Sequence, residues 1–177
     1  MKIEEIVGLA LAEDLGDGDH TSLATVPKDS MGEAVLLAKE KGILAGVEVA
    51  CEVFGQVDNR MEFDVLLKDG SEINPGDEVM IIKGRSQSLL SAERTALNFI
   101  QRMSGIATFT RKVVDKIHGL NTIVLDTRKT TACNRSIEKL AVKIGGGHNH
   151  RFGLFDMIMI KDNHVDFAGG VEQAIKA

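Results

Sequence analysis

Residues Met157-Ile158-Met159-Ile160 form an unbroken apolar run that ends abruptly in Lys161-Asp162-Asn163-His164. A short run without alternation is the pattern of a strand buried on both faces, as in parallel sheets covered by helices. A shorter run, Ile123-Val124-Leu125, passes in the same way into Asp126-Thr127-Arg128-Lys129. Residues 135–144 between the two fit a helix, and another begins over 169–177. Strand, helix, strand, helix is the order of βα units, so the second part of the chain is predicted to be α/β.

The first part reads differently. Ile3, Ile6, Val7, Ala10 and Leu11 have helical spacing, which predicts a helix over 1–12, broken by the turn formers of Gly16–Ser22. Strand-rich stretches lie around 33–38, 43–49, 62–67 and 78–82, punctuated by Lys41-Gly42, Asp69-Gly70 and Asn74-Pro75-Gly76-Asp77, although 47–55 fits a short helix equally well. Leu89, Ala92, Ala96, Leu97, Ile100 and Met103 form one face of a long helix, expected to end near Ser104-Gly105 and to be followed by a second helix over 107–118. The chain therefore divides into an α+β domain with its linking helix, residues 1–105, and a parallel βα part, residues 106–177. Two βα units cannot close a barrel of about 250 residues. The second part is expected to be a half-built parallel sheet with an exposed apolar edge and an uncovered face, as in a fragment of a longer protein.

Composition narrows the function classes. With 26 acidic against 21 basic residues the net charge is −5, a poor match for a nucleic-acid or anionic-membrane partner. Tryptophan and tyrosine are absent, which leaves little for base stacking. No apolar run approaches the roughly 18–20 residues of a membrane span. Glu4, Glu5, Glu13 and Asp14 crowd the N-terminal stretch, so no export signal is expected there. Cys51 and Cys133 have no metal or redox spacing and read as free thiols of a reducing, cytoplasmic setting.

The chemistry concentrates in residues 126–151. Arg128, Lys129, Arg135, Lys139, Lys143 and Arg151 stand there against only Asp126 and Glu138. Arg135, Lys139 and Lys143 recur every fourth residue, which suits either a solvated helix face or a functional one. Arg128 and Lys129 directly follow a strand, at the end where α/β folds bind ligands. Arginine offers a planar fork for a carboxylate or phosphate, and lysine a mobile point charge. Lys161 repeats this placement after the second strand; the alternative is a lysine stretching along apolar surface to water. Gly145-Gly146-Gly147 could turn backbone N–H groups toward an anion or serve as a plain connector. His148 and His150 could be a metal pair, but no carboxylate or cysteine at ligand spacing accompanies them. Arg94 lies off the apolar face of the long helix and reads as surface. The residues by themselves describe a site for a small polyanion and leave the reaction open.

Several stretches together resemble the quinolinate phosphoribosyltransferase family, the carboxylating nicotinate-nucleotide pyrophosphorylases. They are AEDLGDGDHTS (12–22), SAERTALNFIQRMSGIAT (91–108), LDTRKTT (125–131) and EKLAVKIGGGHNHRFGLFDMIMIKDNH (138–164), in order along the whole chain. The resemblance implies an N-terminal α/β sandwich followed by an open α/β barrel. It also implies a pentosyltransferase that reacts quinolinate with phosphoribosyl pyrophosphate and Mg²⁺, giving nicotinate mononucleotide, pyrophosphate and CO₂ for NAD biosynthesis. It would place Arg128, His150, Arg151 and Lys161 on the quinolinate carboxylates and Thr127 in the same substrate site. Lys129 would stand between substrate and phosphoribosyl group, so that Lys129 and Lys161 are the catalytic candidates. Arg94 would reach into the neighbouring subunit of a homodimer with shared active sites. Two departures stand out. Ala132-Cys133-Asn134 replace the family's Pro-Gly-Leu, which predicts altered freedom in that loop. The family also continues into further barrel strands whose acidic residues serve the metal and ribose. The alternatives are a paralogous phosphoribosyltransferase-like protein with another acceptor, such as those associated with molybdenum uptake, and a non-catalytic anion-binding or dimerisation module.

Overall fold

The computed structural model describes residues 1–177. Its elements are α1 (Ile3–Leu15), α2 (His20–Thr25), β1 (Met31–Leu37), β2 (Gly42–Ile43), α3 (Val47–Val57), β3 (Glu62–Val65), β4 (Glu72–Ile73), β5 (Glu78–Arg85), α4 (Ser86–Lys116), α5 (Arg135–Ile144), α6 (Asp162–Ala168) and α7 (Val171–Lys176). β5 is the centre of an antiparallel sheet of order β1-β5-β3, and β2 pairs with β4 in a two-residue ladder. Along β1, Gly32, Ala34 and Leu36 are half-buried and the residues between them exposed, the alternation of a sheet with one covered face. β5 contributes the buried Val79, Met80 and Ile82.

The core joins this sheet to α1, α3 and α4. Val7, Leu44, Val49, Val53, Met80 and Met103 are among its most enclosed members. Burying each aliphatic side chain of this kind contributes about 1.5–3 kcal/mol. α3 lies along α4 because Gly46, at φ +103°, lets the backbone before α3 come within touch of Ile100 and Met103; a Cβ there would stand 2.9 Å from the Met103 sulfur. Ser104 and Thr108 of α4 complete the seam by accepting the amides of Ala45 at 3.0 Å and Ile43 at 2.8 Å.

Several expectations change. The first helix runs on to Leu15, and residues 20–25 form a short helix where a turn was expected, capped by Asp19 on the Ser22 amide at 3.0 Å. Of the 43–49 stretch only Gly42–Ile43 is strand, and the helical alternative holds from Val47. The long helix does not end at Ser104-Gly105. α4 continues to Lys116, so the expected second helix over 107–118 is its last third. Glycine lacks a strong helical preference, yet it costs only about 1 kcal/mol inside a helix, and the packing of Met103, Ala107 and Thr110 on either side outweighs that. The two parallel strands are reduced. Ile123–Leu125 keeps a single parallel bridge, Leu125 to His148, and residues 157–160 are extended without a ladder, with Ile158 91% exposed. A strand takes its hydrogen bonds from neighbours, and the segment 157–160 has none beside it. Leu154, Phe155, Ile158 and Phe167 lie on the surface, which is the exposed apolar face expected of an open α/β arrangement.

Candidate anion-binding site

The parallel bridge organises the site. His148 donates its amide to the Val124 carbonyl at 2.8 Å and accepts from the Asp126 amide at 3.0 Å. Because the two segments run the same way, Thr127-Arg128-Lys129 and Asn149-His150-Arg151 leave from the same end. The Arg151 guanidinium, itself buried, reaches the Met157 carbonyl at 3.2 Å and ties in the third segment, whose end is Lys161. The bridge thus joins two cation-bearing segment ends, and one Arg151 side-chain bond ties the third segment to them.

α5 holds this arrangement from behind. Ile137 and Ala141 bury its apolar side, while three charged residues reach the loops. Lys139 forms an ion pair with Asp126 in which both side chains are almost fully enclosed. Arg135 donates to Thr130 Oγ1 at 3.2 Å and to the Phe152 carbonyl at 3.0 Å, its guanidinium lying over the Phe152 ring. Glu138 accepts the Thr131 amide and is held by Arg102 of α4. Burial works against the charged form of Glu138, but the hydrogen bonds of Arg102 and Thr131 outweigh it and hold its carboxyl below the usual range. The solvated-face reading therefore holds for exposed Lys143 alone; Arg135 and Lys139 turn inward.

The glycine triplet proves to be a packing device rather than an anion cradle or a loose connector. A Cβ on Gly145 would lie 2.5 Å from the Ala107 carbonyl oxygen, and one on Gly147 would lie 2.8 Å from Val142 Cγ1. Only glycine lets this turn cross α4 so closely, and Gly146 closes it at φ +92°. Beyond Arg151, Asp156 accepts the amides of Phe152 at 2.6 Å and Gly153 at 2.7 Å. Those backbone bonds keep its carboxyl below the ordinary range and fix the loop that follows Arg151.

The other singled-out residues are placed as follows. Arg128 is half-buried, and its Nε is buried with no hydrogen-bond partner. Thr127 Oγ1 accepts the Lys129 amide at 3.0 Å, and both residues line a cleft of about 560 Å³ with Phe109, Thr110 and Val142. His150 is half-buried beside the Asp126–Lys139 pair. Lys161 is exposed and immediately precedes α6 as its N-cap, where its amide donates to His164 Nδ1 at 3.0 Å, which commits His164 to a capping role. Arg94 is exposed on α4, about 12 Å along the helix from Arg102 at a rise of about 1.5 Å per residue, and is not joined to the strand ends. Asp126, Lys139, Glu138 and Arg102 escaped assignment from sequence. An acid at the end of an apolar strand was their one visible sign, since it needs a cation partner when buried.

Comparison with known proteins gives the family. Residues 19–104 match the N-terminal domain of quinolinate phosphoribosyl transferase, and residues 106–177 match its C-terminal domain. The chain belongs to the quinolinate phosphoribosyl transferase family. It is 47% identical over 176 residues to quinolinate phosphoribosyltransferase [decarboxylating] 1b of Nicotiana tabacum, covering 99% of this chain and 50% of that protein. The chloroplastic nicotinate-nucleotide pyrophosphorylase [carboxylating] of Arabidopsis thaliana is also 47% identical, with the same two coverages. Among solved structures, NadC from Streptococcus pyogenes superposes with a TM-score of 0.93 at 43% identity, over 98% of this chain and 62% of that one. The chain thus spans about half the length of the curated relatives it matches. The mixed α/β fold, with a sheet domain followed by a helical α/β part, is that of the family.

Proposed function

We propose that this chain carries the acceptor-binding part of a quinolinate phosphoribosyltransferase, acting in de novo NAD biosynthesis. The observation that carries the reading is the parallel bridge between Leu125 and His148, which sends Arg128 and His150-Arg151 out from one end. Quinolinate has carboxylates on adjacent ring carbons, and adjacent strand ends bearing a guanidinium, an imidazole and a second guanidinium match that double charge. Arg128, His150, Arg151 and Lys161 hold the two carboxylates, with Thr127 shaping the turn beneath them. Lys129, at the mouth of the neighbouring cleft, lies toward the phosphoribosyl group.

In the reaction the pyridine nitrogen forms a bond to the ribose anomeric carbon as the bond from that carbon to pyrophosphate breaks. The 2-carboxylate then leaves as CO₂, its bonding electrons stay on the ring carbon, and a proton replaces it. Fixed cations relieve the repulsion between two polyanionic substrates and stabilise the charge that develops on each. Lys129 and Lys161 are the side chains of this region free to meet that charge. Mg²⁺ belongs to the family's reaction, but these 177 residues offer it no cradle: no three His, Cys, Asp or Glu side chains come together, and Asp126 is committed to Lys139. By the family resemblance the ion comes with phosphoribosyl pyrophosphate, where it would neutralise the leaving group.

Arg94, exposed and away from the strand ends, fits a role in the site of a second subunit, as in a homodimer with shared active sites. No nucleic-acid or membrane partner is proposed; no helix is long and apolar enough to cross a membrane. A cytoplasmic setting suits the free thiols of Cys51 and Cys133. The test is calorimetric titration with quinolinate, together with an assay for nicotinate mononucleotide from quinolinate, phosphoribosyl pyrophosphate and Mg²⁺. Both are run on the 177-residue chain and on the full product of its gene. Saturable quinolinate binding, with product from the full gene product, supports the proposal. Absence of both from the full gene product overturns it in favour of another acceptor or a non-catalytic module.

A further inference from the structure

Asp126 and Lys139 expose 5% and 3% of their side chains, the most enclosed ion pair in the molecule. A buried pair of this kind adds little net stability, because desolvation offsets most of the Coulomb attraction. Its bonds point instead to geometry. Asp126 Oδ1 accepts from Lys139 and from the His150 amide at 2.8 Å, and Lys139 Nζ also donates to the His150 carbonyl at 3.0 Å. With its nitrogen turned inward, the Asn149 carboxamide donates to Asp126 Oδ2 at 2.8 Å and to the Lys139 carbonyl at 2.9 Å. The pair therefore grips both polar groups of the His150 backbone from a residue two positions before Arg128. Arg151 is the next residue on the gripped side.

We infer that Asp126 and Lys139 are positioning residues. They fix Arg128 against His150 and Arg151, and so set the preference for two adjacent carboxylates over one. The two carboxylates of a planar ring have a fixed separation, and cations that must meet both have to be held to within about half an ångström. A monocarboxylate needs only one of them and tolerates slack. The inference rests on the quinolinate reading of the site.

The test compares affinities for quinolinate and for nicotinate, which carries a single carboxylate, by calorimetry on the full gene product, with thermal melting in parallel. In the paired variant Asp126→Asn/Lys139→Met, the preference for quinolinate should fall about tenfold or more, the scale of a single charge-assisted hydrogen bond, while nicotinate affinity changes little. Asn149→Ala removes only the exposed bridging amide; a two- to threefold fall is expected there, and this variant decides the matter if the paired one does not fold. Lys143→Ala, exposed on the same helix, should leave the preference as it is. An unchanged preference in folded variants overturns the positioning role and leaves the quinolinate reading intact. If the unaltered protein shows no preference for quinolinate, the reading and the inference fall together.

Discussion

Arg102 on α4 donates through Nε to Glu138 on α5 at 3.0 Å, and the two residues also share Thr131 between them. The long helix of the sheet domain is thereby fastened to the loop that follows Arg128 and Lys129. The partners are unequal: the Arg102 side chain is 49% exposed and the Glu138 side chain 11%. Removing arginine strands a buried carboxylate, whereas neutralising the glutamate leaves an arginine that water can reach. Arg102→Ala should cost about 2 kcal/mol and Glu138→Gln about 1 kcal/mol or less, by urea denaturation at pH 7. The reverse order would show that the arginine, not the carboxylate, is the group in need of its partner.

Cys133 is the one residue other than glycine with positive φ, at +63°. It stands where the family resemblance calls for glycine, and the turn keeps its left-handed form, with the Asn134 amide donating to the Thr131 carbonyl at 3.2 Å. The expected change in the loop is thus absorbed as strain at one residue. A left-handed residue with a Cβ costs about 1–2 kcal/mol, partly offset by the extra freedom glycine has when unfolded. Cys133→Gly should raise stability by about 0.5–1 kcal/mol, and Cys133→Val should lower it by more than about 1 kcal/mol, since a β-branched side chain resists this conformation further. Equal stability of the two variants by chemical denaturation would mean that the loop relaxes and stores no strain.

What could be read from sequence followed from periodicity and local chemistry. The face of α4 from Leu89 to Met103, the β5 run and the cationic ends after Leu125 all carry their pattern within a few residues. What could not be read depended on partners distant in sequence. Gly105 looks like a helix end, but Ser104 and Thr108 bind the 43–45 backbone and carry the helix through. Lys139 sits at a helical spacing that suits solvent, and only the approach of Asp126 and His150 turns it inward. The residues 157–160 have the composition of a buried strand and no neighbour to pair with, so composition alone misplaces them.

Asp58 closes α3 and takes both guanidinium contacts of Arg60 at 2.9 Å, with Ser88 adding a longer bond. The Arg60 side chain, first among these, holds the Asp58 carboxyl down at about 2. The folded state therefore favours the charged form. The resulting stability is complete above the unfolded aspartate range near about 4 and is lost as pH falls through the folded value. Asp58→Asn should lower stability at pH 7, with the gap to the unaltered protein roughly halved at pH 3. A gap that is the same at pH 3 and pH 7, measured by urea unfolding, would mean that the capping geometry and not the charge supplies the stabilisation.

Arg128 is half-buried three residues beyond the Leu125–His148 bridge, where a guanidinium can offer its planar fork to an anion. A quinolinate carboxylate approaching from the strand-end side would accept from two guanidinium nitrogens together, the paired contact that a lysine cannot make. Arg128→Lys keeps the charge, so stability should change little while quinolinate affinity falls about 10- to 100-fold, the worth of a single charge-assisted hydrogen bond. A loss of affinity without a loss of stability separates a binding role from a structural one. Melting and calorimetry on the same preparation measure both. Unchanged affinity in a variant that melts as high as the parent would remove Arg128 from the acceptor site and leave His150, Arg151 and Lys161 to hold the anion without it.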